Sequence, residues 1–213
     1  MRFFVYLMSA VTPAVALAGG NDGFVPLFNG KTLDGWEVRE FKGGDKDKWS
    51  VVDGVLTAKP GSGWIGTTKM YGDFVLRLEW RIPVNGNSGV FLRVPDVKTK
   101  VSPSGLGMEI QVLDDDGPQH KGKIKDTQKS GSLYGFVPPS KVVNKGPGVW
   151  NRYEITCKGD LVTVVFNGEK VVEGDMSKFP DLDKRPRKGF IGLQNHSTGV
   201  EYRNIEIKVL DGK

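Results

Sequence analysis

The chain has 213 residues, 38% hydrophobic and 26% charged, a balance that supports a packed core and excludes the weakly hydrophobic, highly charged regime of a disordered chain. A formal net charge of +5 raises nucleic acid as a partner, but the basic residues are scattered, with local knots at 98–100, 121–129 and 184–188, and no basic helix or aromatic RNA-binding signature accompanies them. The single cysteine, Cys157, excludes an internal disulfide, so packing alone must hold the fold.

The first 18 residues read as an export signal. Met1 and Arg2 supply a positive start, residues 3–11 are almost all apolar, and Ala16-Leu17-Ala18 fits a small-x-small cleavage site. The apolar run is short for a bilayer and Pro13 interrupts it, so a membrane anchor is the weaker reading. No later stretch is apolar enough to span. Cleavage after Ala18 leaves residues 19–213 as one domain, periplasmic or extracellular, with a net charge of +4 once Arg2 has gone.

Period-two alternation then dominates. Strands are expected at 36–41, at 49–52 and 55–58 around the hairpin turn Asp53-Gly54, and at 73–82, where Phe74, Leu76, Leu78, Trp80 and Ile82 share one face. Further strands are expected at 88–94, 108–114, 133–137 and 153–157. A hairpin follows, with Val162, Val164 and Phe166 leading through Asn167-Gly168 to Val171 and Val172. Strands at 190–195 and 200–210 complete the set, the last changing phase near Arg203 and Asn204 as a bulge would require. No segment holds a helical period over three turns, and 29 glycines and 12 prolines supply the turns. The expected fold is all-β, an antiparallel two-sheet β-sandwich. Residues 95–105 and 114–130 form the longest irregular stretches, of the kind that border sites.

The same alternation places Glu109 and Gln111 together, opposite Met108, Ile110 and Val112. On neighbouring segments it places Arg93 with Phe91, and His196 with Gln194. If these strands share a sheet, one face gathers Arg93, Glu109, Gln111, Gln194 and His196, a set able to bind hydroxyls and move protons. The competing reading is an ordinary solvated face. His196 suits proton transfer near neutrality, whereas His120 lies in a polar loop. Asp114-Asp115-Asp116-Gly117 offers oxygen donors of the kind Ca²⁺ prefers, but a strand-end turn is the first reading, and no cofactor is expected. Trp64 and Tyr134 are aromatics that can stack on sugar rings, against a default of core packing. Cys157 reads as a small buried hydrophobe.

Ordered motifs cover nearly all of the chain beyond residue 22. Phe28-Asn29-Gly30-Lys31, Asp34-Gly35-Trp36, Asn87-Ser88-Gly89-Val90-Phe91, Met108-Glu109-Ile110-Gln111-Val112-Leu113-Asp114, Gly131-Ser132-Leu133-Tyr134-Gly135 and Gly189-Phe190-Ile191-Gly192-Leu193-Gln194-Asn195-His196 stand in that sequence. Together they resemble the 3-keto-disaccharide hydrolase family, also described as 3-keto-glucoside lyases and hydratases. The resemblance implies a concanavalin A-like jelly roll, bacterial export and a sugar substrate oxidised at C3, hence a functional link to a sugar 3-dehydrogenase. It implies His196 and Glu109 as acid and base, and Arg93, Gln111, Asp114, Tyr134, Gln194 and Asn87 as substrate-binding residues.

Two alternatives stand beside it. Glu109-x-Gln111-x-x-Asp114 is similar in spacing to the acidic strand motif of laminarinase-like glycosidases, though the central acid is missing. A noncatalytic lectin-like module would share the architecture.

Overall fold

Among the residues described in the computed structural model (22–39, 48–61, 63–96, 101–196 and 198–210), thirteen strands form. They are β1 (Val25–Pro26), β2 (Trp36–Arg39), β3 (Trp49–Val52), β4 (Val55–Ala58), β5 (Gly63–Tyr71), β6 (Phe74–Arg81), β7 (Asn87–Val94), β8 (Met108–Leu113), β9 (Asn151–Lys158), β10 (Leu161–Phe166), β11 (Glu169–Asp175), β12 (Gly189–Asn195) and β13 (Val200–Val209). Two four-residue helical turns, α1 (Pro103–Leu106) and α2 (Pro180–Asp183), are the α-helical pieces. The expected leader lies outside the described residues, and no helix among them is long and apolar enough to cross a membrane.

The strands form two antiparallel sheets. The larger runs β11-β10-β9-β6-β13-β4-β3, with β1 added on β13, and the smaller runs β2-β5-β12-β7-β8. The expected sandwich is the observed one. Alternation dictates the packing: Phe74, Leu76, Leu78 and Trp80 of β6 face inward against Ile65, Val90, Leu92, Ile110 and Leu193 of the smaller sheet, all within one continuous core. At the centre of the larger sheet the rings of Trp80, Tyr153 and Phe166 pack with centroids 4.7–5.8 Å apart. Cys157 is fully buried there, and burial pushes its thiol up to about 12. It is a core residue, as expected.

Local turn chemistry sets the hairpins. Asp53-Gly54 and Asn167-Gly168 both take left-handed backbone at both positions, the requirement of a two-residue turn that matches strand twist. The bulge near Arg203-Asn204 is present, with Asn204 at φ 51° and a register shift against β6. One expected strand is absent and one strand was not expected. Residues 133–137 form no strand: Leu133 makes a single bridge to Ile110 and another to Val137 across a tight turn. Conversely, β5 lies inside the smaller sheet, between β2 and β12, although Gly63-Trp64-Ile65-Gly66 shows no clean alternation.

The two outer faces differ in character. That of the larger sheet carries cross-strand ion pairs, Arg77 with Glu154, Arg81 with Glu201 and Arg203 with Glu79, and Trp150 lies under both Arg81 and Arg203. It is a solvated, charge-balanced surface of modest energetic value. The outer face of the smaller sheet holds uncompensated polar groups among aromatic rings.

Candidate functional site

Register fixes which side chains meet on that face. One row crosses the smaller sheet through paired positions Arg39, Trp64, Gln194, Gly89 and Gln111; the adjacent row runs Glu37, Gly66, Gly192, Phe91 and Glu109. The segment 131–134 extends both rows beyond β8, since Gln111 donates its backbone N–H to Ser132 O and Tyr134 donates to Glu109 O. Glu109, Gln111 and Gln194 therefore lie together, as alternation requires, with Tyr134 alongside. The Tyr134 hydroxyl accepts from Gln128 Nε2 at 3.0 Å.

Glycines make room for the larger groups. A Cβ on Gly89 would collide with Glu109 Oε1, so the carboxyl lies directly over that backbone. A Cβ on Gly192 would sit 2.6 Å from the Trp64 ring and 3.2 Å from Phe91, and one on Gly66 would sit 2.8 Å from both Trp64 and Arg39. Trp64 packs edge-on against Phe91 at 5.7 Å and is 6% exposed, so it does not offer an open stacking face. Its indole N–H and Arg39 Nε are buried without a hydrogen-bond partner. The Arg39 guanidinium lies 3.5 Å over the Phe190 ring, with Glu37 and Asp96 as its carboxylate neighbours. The substitution Gly192→Ala wedges a methyl between two packed rings. It is expected to lower the urea midpoint with unchanged slope, a loss of about 1–3 kcal/mol.

Glu109 is the chemically distinctive group. It is 6% exposed, and burial pushes its carboxyl from 4.5 to about 8, an effect the neighbouring Ser104 side chain opposes only in part. No cation is paired with it among the described ion pairs. At neutral pH the carboxyl is predominantly protonated and able to donate.

Arg93 does not belong to this face. The pairing runs Phe91 with Gly192 and Val94 with Phe190, so Leu92 and Arg93 together oppose Ile191 alone, and this bulge turns Arg93 inward. Its backbone is left-handed at φ 53°. The guanidinium is 0% exposed, donating to Gly72 O at 2.9 Å, Gly159 O at 2.8 Å and Asp73 Oδ1 at 2.9 Å. It ties the bulge to the ends of the larger sheet, and the expectation that it contacts substrate is corrected. Val94, placed inward by simple alternation, joins Trp64, Phe91 and Phe190 on the outer face instead.

Asp114 is also committed elsewhere. Its Oδ2 accepts from the Asn85 backbone at 2.8 Å, its carbonyl is bonded to His120 Nδ1, and a Cβ on Gly117 would sit 2.5 Å from its Oδ2. Asp115 accepts from the Ser130 backbone, and Asp116 pairs with Lys121. The aspartate run is thus a turn whose carboxylates point to separate partners, and among the described residues no group of three or more His, Cys, Asp or Glu side chains could hold a metal ion. The glycosidase-like pairing of Glu109 with Asp114 finds no support in this arrangement.

His196 lies one residue beyond β12, exposed, with its backbone N–H on Asn87 O at 3.3 Å. By register His196 and Asn87 stand side by side at the rim of the face. Nothing in the local pattern singles out Arg39, Ser132 or Ser104. Ser104 lies at the end of the irregular stretch 95–105, whose length was its one signal.

A two-sheet sandwich bearing a carboxyl, carboxamides and aromatic rings on one sheet face falls within the concanavalin- and galectin-like class of β-sandwiches. The carbohydrate-binding module CBM66 of Bacillus subtilis shares that fold at TM-score 0.53 and 11% identity, over 82% of this chain and 95% of the module, a likeness of fold alone. Residues 23–208 match the model of the 3-keto-alpha-glucoside-1,2-lyase-like domain, and the chain belongs to that family. A 3-keto-disaccharide hydrolase of Bacteroides thetaiotaomicron is 30% identical over an alignment of 251 residues, covering 96% of this chain and 84% of that protein. A solved structure from Parabacteroides distasonis, described as a candidate glycosyl hydrolase, matches at TM-score 0.78 and 32% identity, over 89% of this chain and 94% of the other.

Proposed function

We propose that the chain is an exported enzyme that hydrolyses 3-keto-disaccharides on the outer face of the smaller sheet, with Glu109 as a proton-transfer group. The observation that carries this reading is the Glu109 carboxyl, buried over Gly89 with no paired cation and held protonated at neutral pH by its surroundings. Family membership and the named Bacteroides relative support the substrate class.

The chemistry follows from the ketone. A carbonyl at C3 acidifies the proton on C2, and a base removes it as the C1–O bond breaks. Glu109 donates its proton to the departing oxygen, so the leaving group exits as a neutral alcohol. His196, at the rim, is the group placed to take the C2 proton. Water then adds at C1 of the enone and a proton returns to C2, giving net hydrolysis without a glycosyl-enzyme intermediate. Gln111 and Gln194 flank Glu109 and serve as donors to the ketone and neighbouring hydroxyls.

Incubating the protein with a 3-keto-disaccharide in D₂O tests the scheme. Release of free sugar with deuterium at C2, above a no-enzyme control, is the expected result. Cleavage without deuterium would move the reading to direct hydrolysis. An intact 3-keto sugar, with binding alone or with cleavage of an unoxidised glucan, would overturn it.

A further inference from the structure

The irregular stretch 114–130 ends in a polar contact to the candidate face, and chemistry fixes the direction of that contact. Tyr134 stands opposite Glu109, to whose carbonyl it donates its backbone N–H at 2.9 Å, while the adjoining Leu133 is buried in the core at 0% exposure. Tyr134 therefore lies on the Glu109 side of the sheet. Its hydroxyl meets the carboxamide of Gln128, the last residue of a single 3₁₀ turn, Asp126–Gln128.

The polarity follows from the other end of that carboxamide. The backbone N–H of Lys125 lies 3.0 Å from it, and since an N–H can only donate, the atom it meets is Oε1. Nε2 is then the atom that faces Tyr134 at 3.0 Å, and an amide nitrogen also only donates. The phenol oxygen is thereby an acceptor towards Gln128, and its one proton is left for another partner. No group among the described residues takes it.

The carboxamide is held in this sense. Reversing it would set a donor against the Lys125 N–H. The turn beneath it is braced as well: Gln128 donates its backbone N–H to Lys125 O at 2.9 Å, Lys129 Nζ lies 2.7 Å from Asp126 Oδ1, and Gly135 donates to Thr127 O at 2.9 Å, which ties the turn to the residue after Tyr134.

We infer that Gln128 is a positioning residue that holds the Tyr134 hydroxyl as a hydrogen-bond donor to the substrate, its acceptor being the C3 oxygen of the 3-keto sugar. The inference rests on the proposed cleavage of 3-keto-disaccharides at this face, and it adds Tyr134 to the carboxamides of Gln111 and Gln194. Removal of the C2 proton drives an electron pair towards the C3 carbonyl, whose oxygen becomes an enolate. A donor already aimed at that oxygen stabilises the charge as it develops, without reorganising. A ketone or enolate oxygen carries no proton of its own, so it matches a hydroxyl locked in the donor sense. The hydrogen bond moves no proton, and the phenol ends the cycle as it began.

Gln128→Glu, Gln128→Met and Tyr134→Phe, made in the full chain and compared at a temperature where all are folded, test this on a 3-keto-disaccharide. Gln128→Glu is nearly isosteric and keeps an oxygen for the Lys125 N–H, but its second oxygen accepts the phenol proton and turns it away from the substrate. Gln128→Met removes the donor and leaves only a weak acceptor in its place. The expected kcat falls about 10–100-fold in Gln128→Glu and in Tyr134→Phe, and about threefold or less in Gln128→Met, with KM within about threefold throughout. A role confined to folding predicts the reverse order for the two Gln128 variants, since the carboxylate preserves the turn better than the thioether. Because Gln128→Glu acts through the hydroxyl, adding it to Tyr134→Phe should change kcat by no more than about twofold. Multiplied losses in that double variant, or wild-type kcat in Tyr134→Phe, would overturn the inference while the unaltered protein still cleaved the sugar. An unaltered protein that leaves the 3-keto-disaccharide intact would instead remove the reading on which it rests.

Discussion

Glu109→Gln is expected to lower kcat on a 3-keto-disaccharide by about 10²–10⁴-fold, with KM changed far less, because a general acid contributes through the transition state and its amide isostere keeps the shape but delivers no proton. The variant carries a second signature that a merely structural residue would lack. The carboxyl titrates near 4.5 in the unfolded chain and at about 8 in the fold. Between those values the native state holds a proton that the unfolded chain has released. The stability that comes from keeping the carboxyl neutral is complete below about pH 4.5, declines as pH rises, and is lost above about pH 8. The slope for one proton is about 1.4 kcal/mol per pH unit. Between pH 5 and pH 9 the stability difference should therefore shift by about 3–5 kcal/mol in favour of Glu109→Gln, other groups titrating alike in both proteins. Urea unfolding at a series of pH values reads this directly. A constant difference across that range would mean that Glu109 titrates normally, and the case for it as a buried acid would fail.

What the sequence reveals and what it hides follow from how local each feature is. Asp53-Gly54 and Asn167-Gly168 are read correctly because the left-handed backbone at each turn is a property of those two residues. The partnership of Glu109 with Gln111 survives because two positions on one strand always share a face. β5 is missed for the opposite reason. Gly66 is small because Trp64 and Arg39 of its own face lie over it, so the cause of the broken pattern is a tertiary contact. The segment 133–137 has the composition of a strand, but Val137 pairs back on Leu133, leaving no length for a ladder.

Arg93 is the most instructive error, and it carries the second large expected effect. Strict alternation sends it to the outer face, where an arginine beside a carboxyl suits sugar binding; one bulge residue reverses that, and burial then requires every donor to find a partner. Arg93→Met keeps much of the side-chain volume while removing the charge and the donors. The carbonyls of Gly72 and Gly159 lose their guanidinium partners, and Asp73 keeps only the Gly159 N–H on the oxygen that Arg93 held. Breaking a buried pair from one side costs about 3–5 kcal/mol, and the 30% exposure of the Asp73 side chain places this case at the lower end. Arg93→Lys keeps the charge but cannot hold three divergent acceptors in one plane, so an intermediate loss is expected. Neither change alters the left-handed backbone at position 93, so the difference between the variants isolates the side-chain network from backbone strain. At a temperature where Arg93→Met remains folded, KM for a 3-keto-disaccharide should stay within twofold of wild type. A large rise in KM with unchanged stability would return Arg93 to the substrate face, and with it the simple alternation that the bulge overrides.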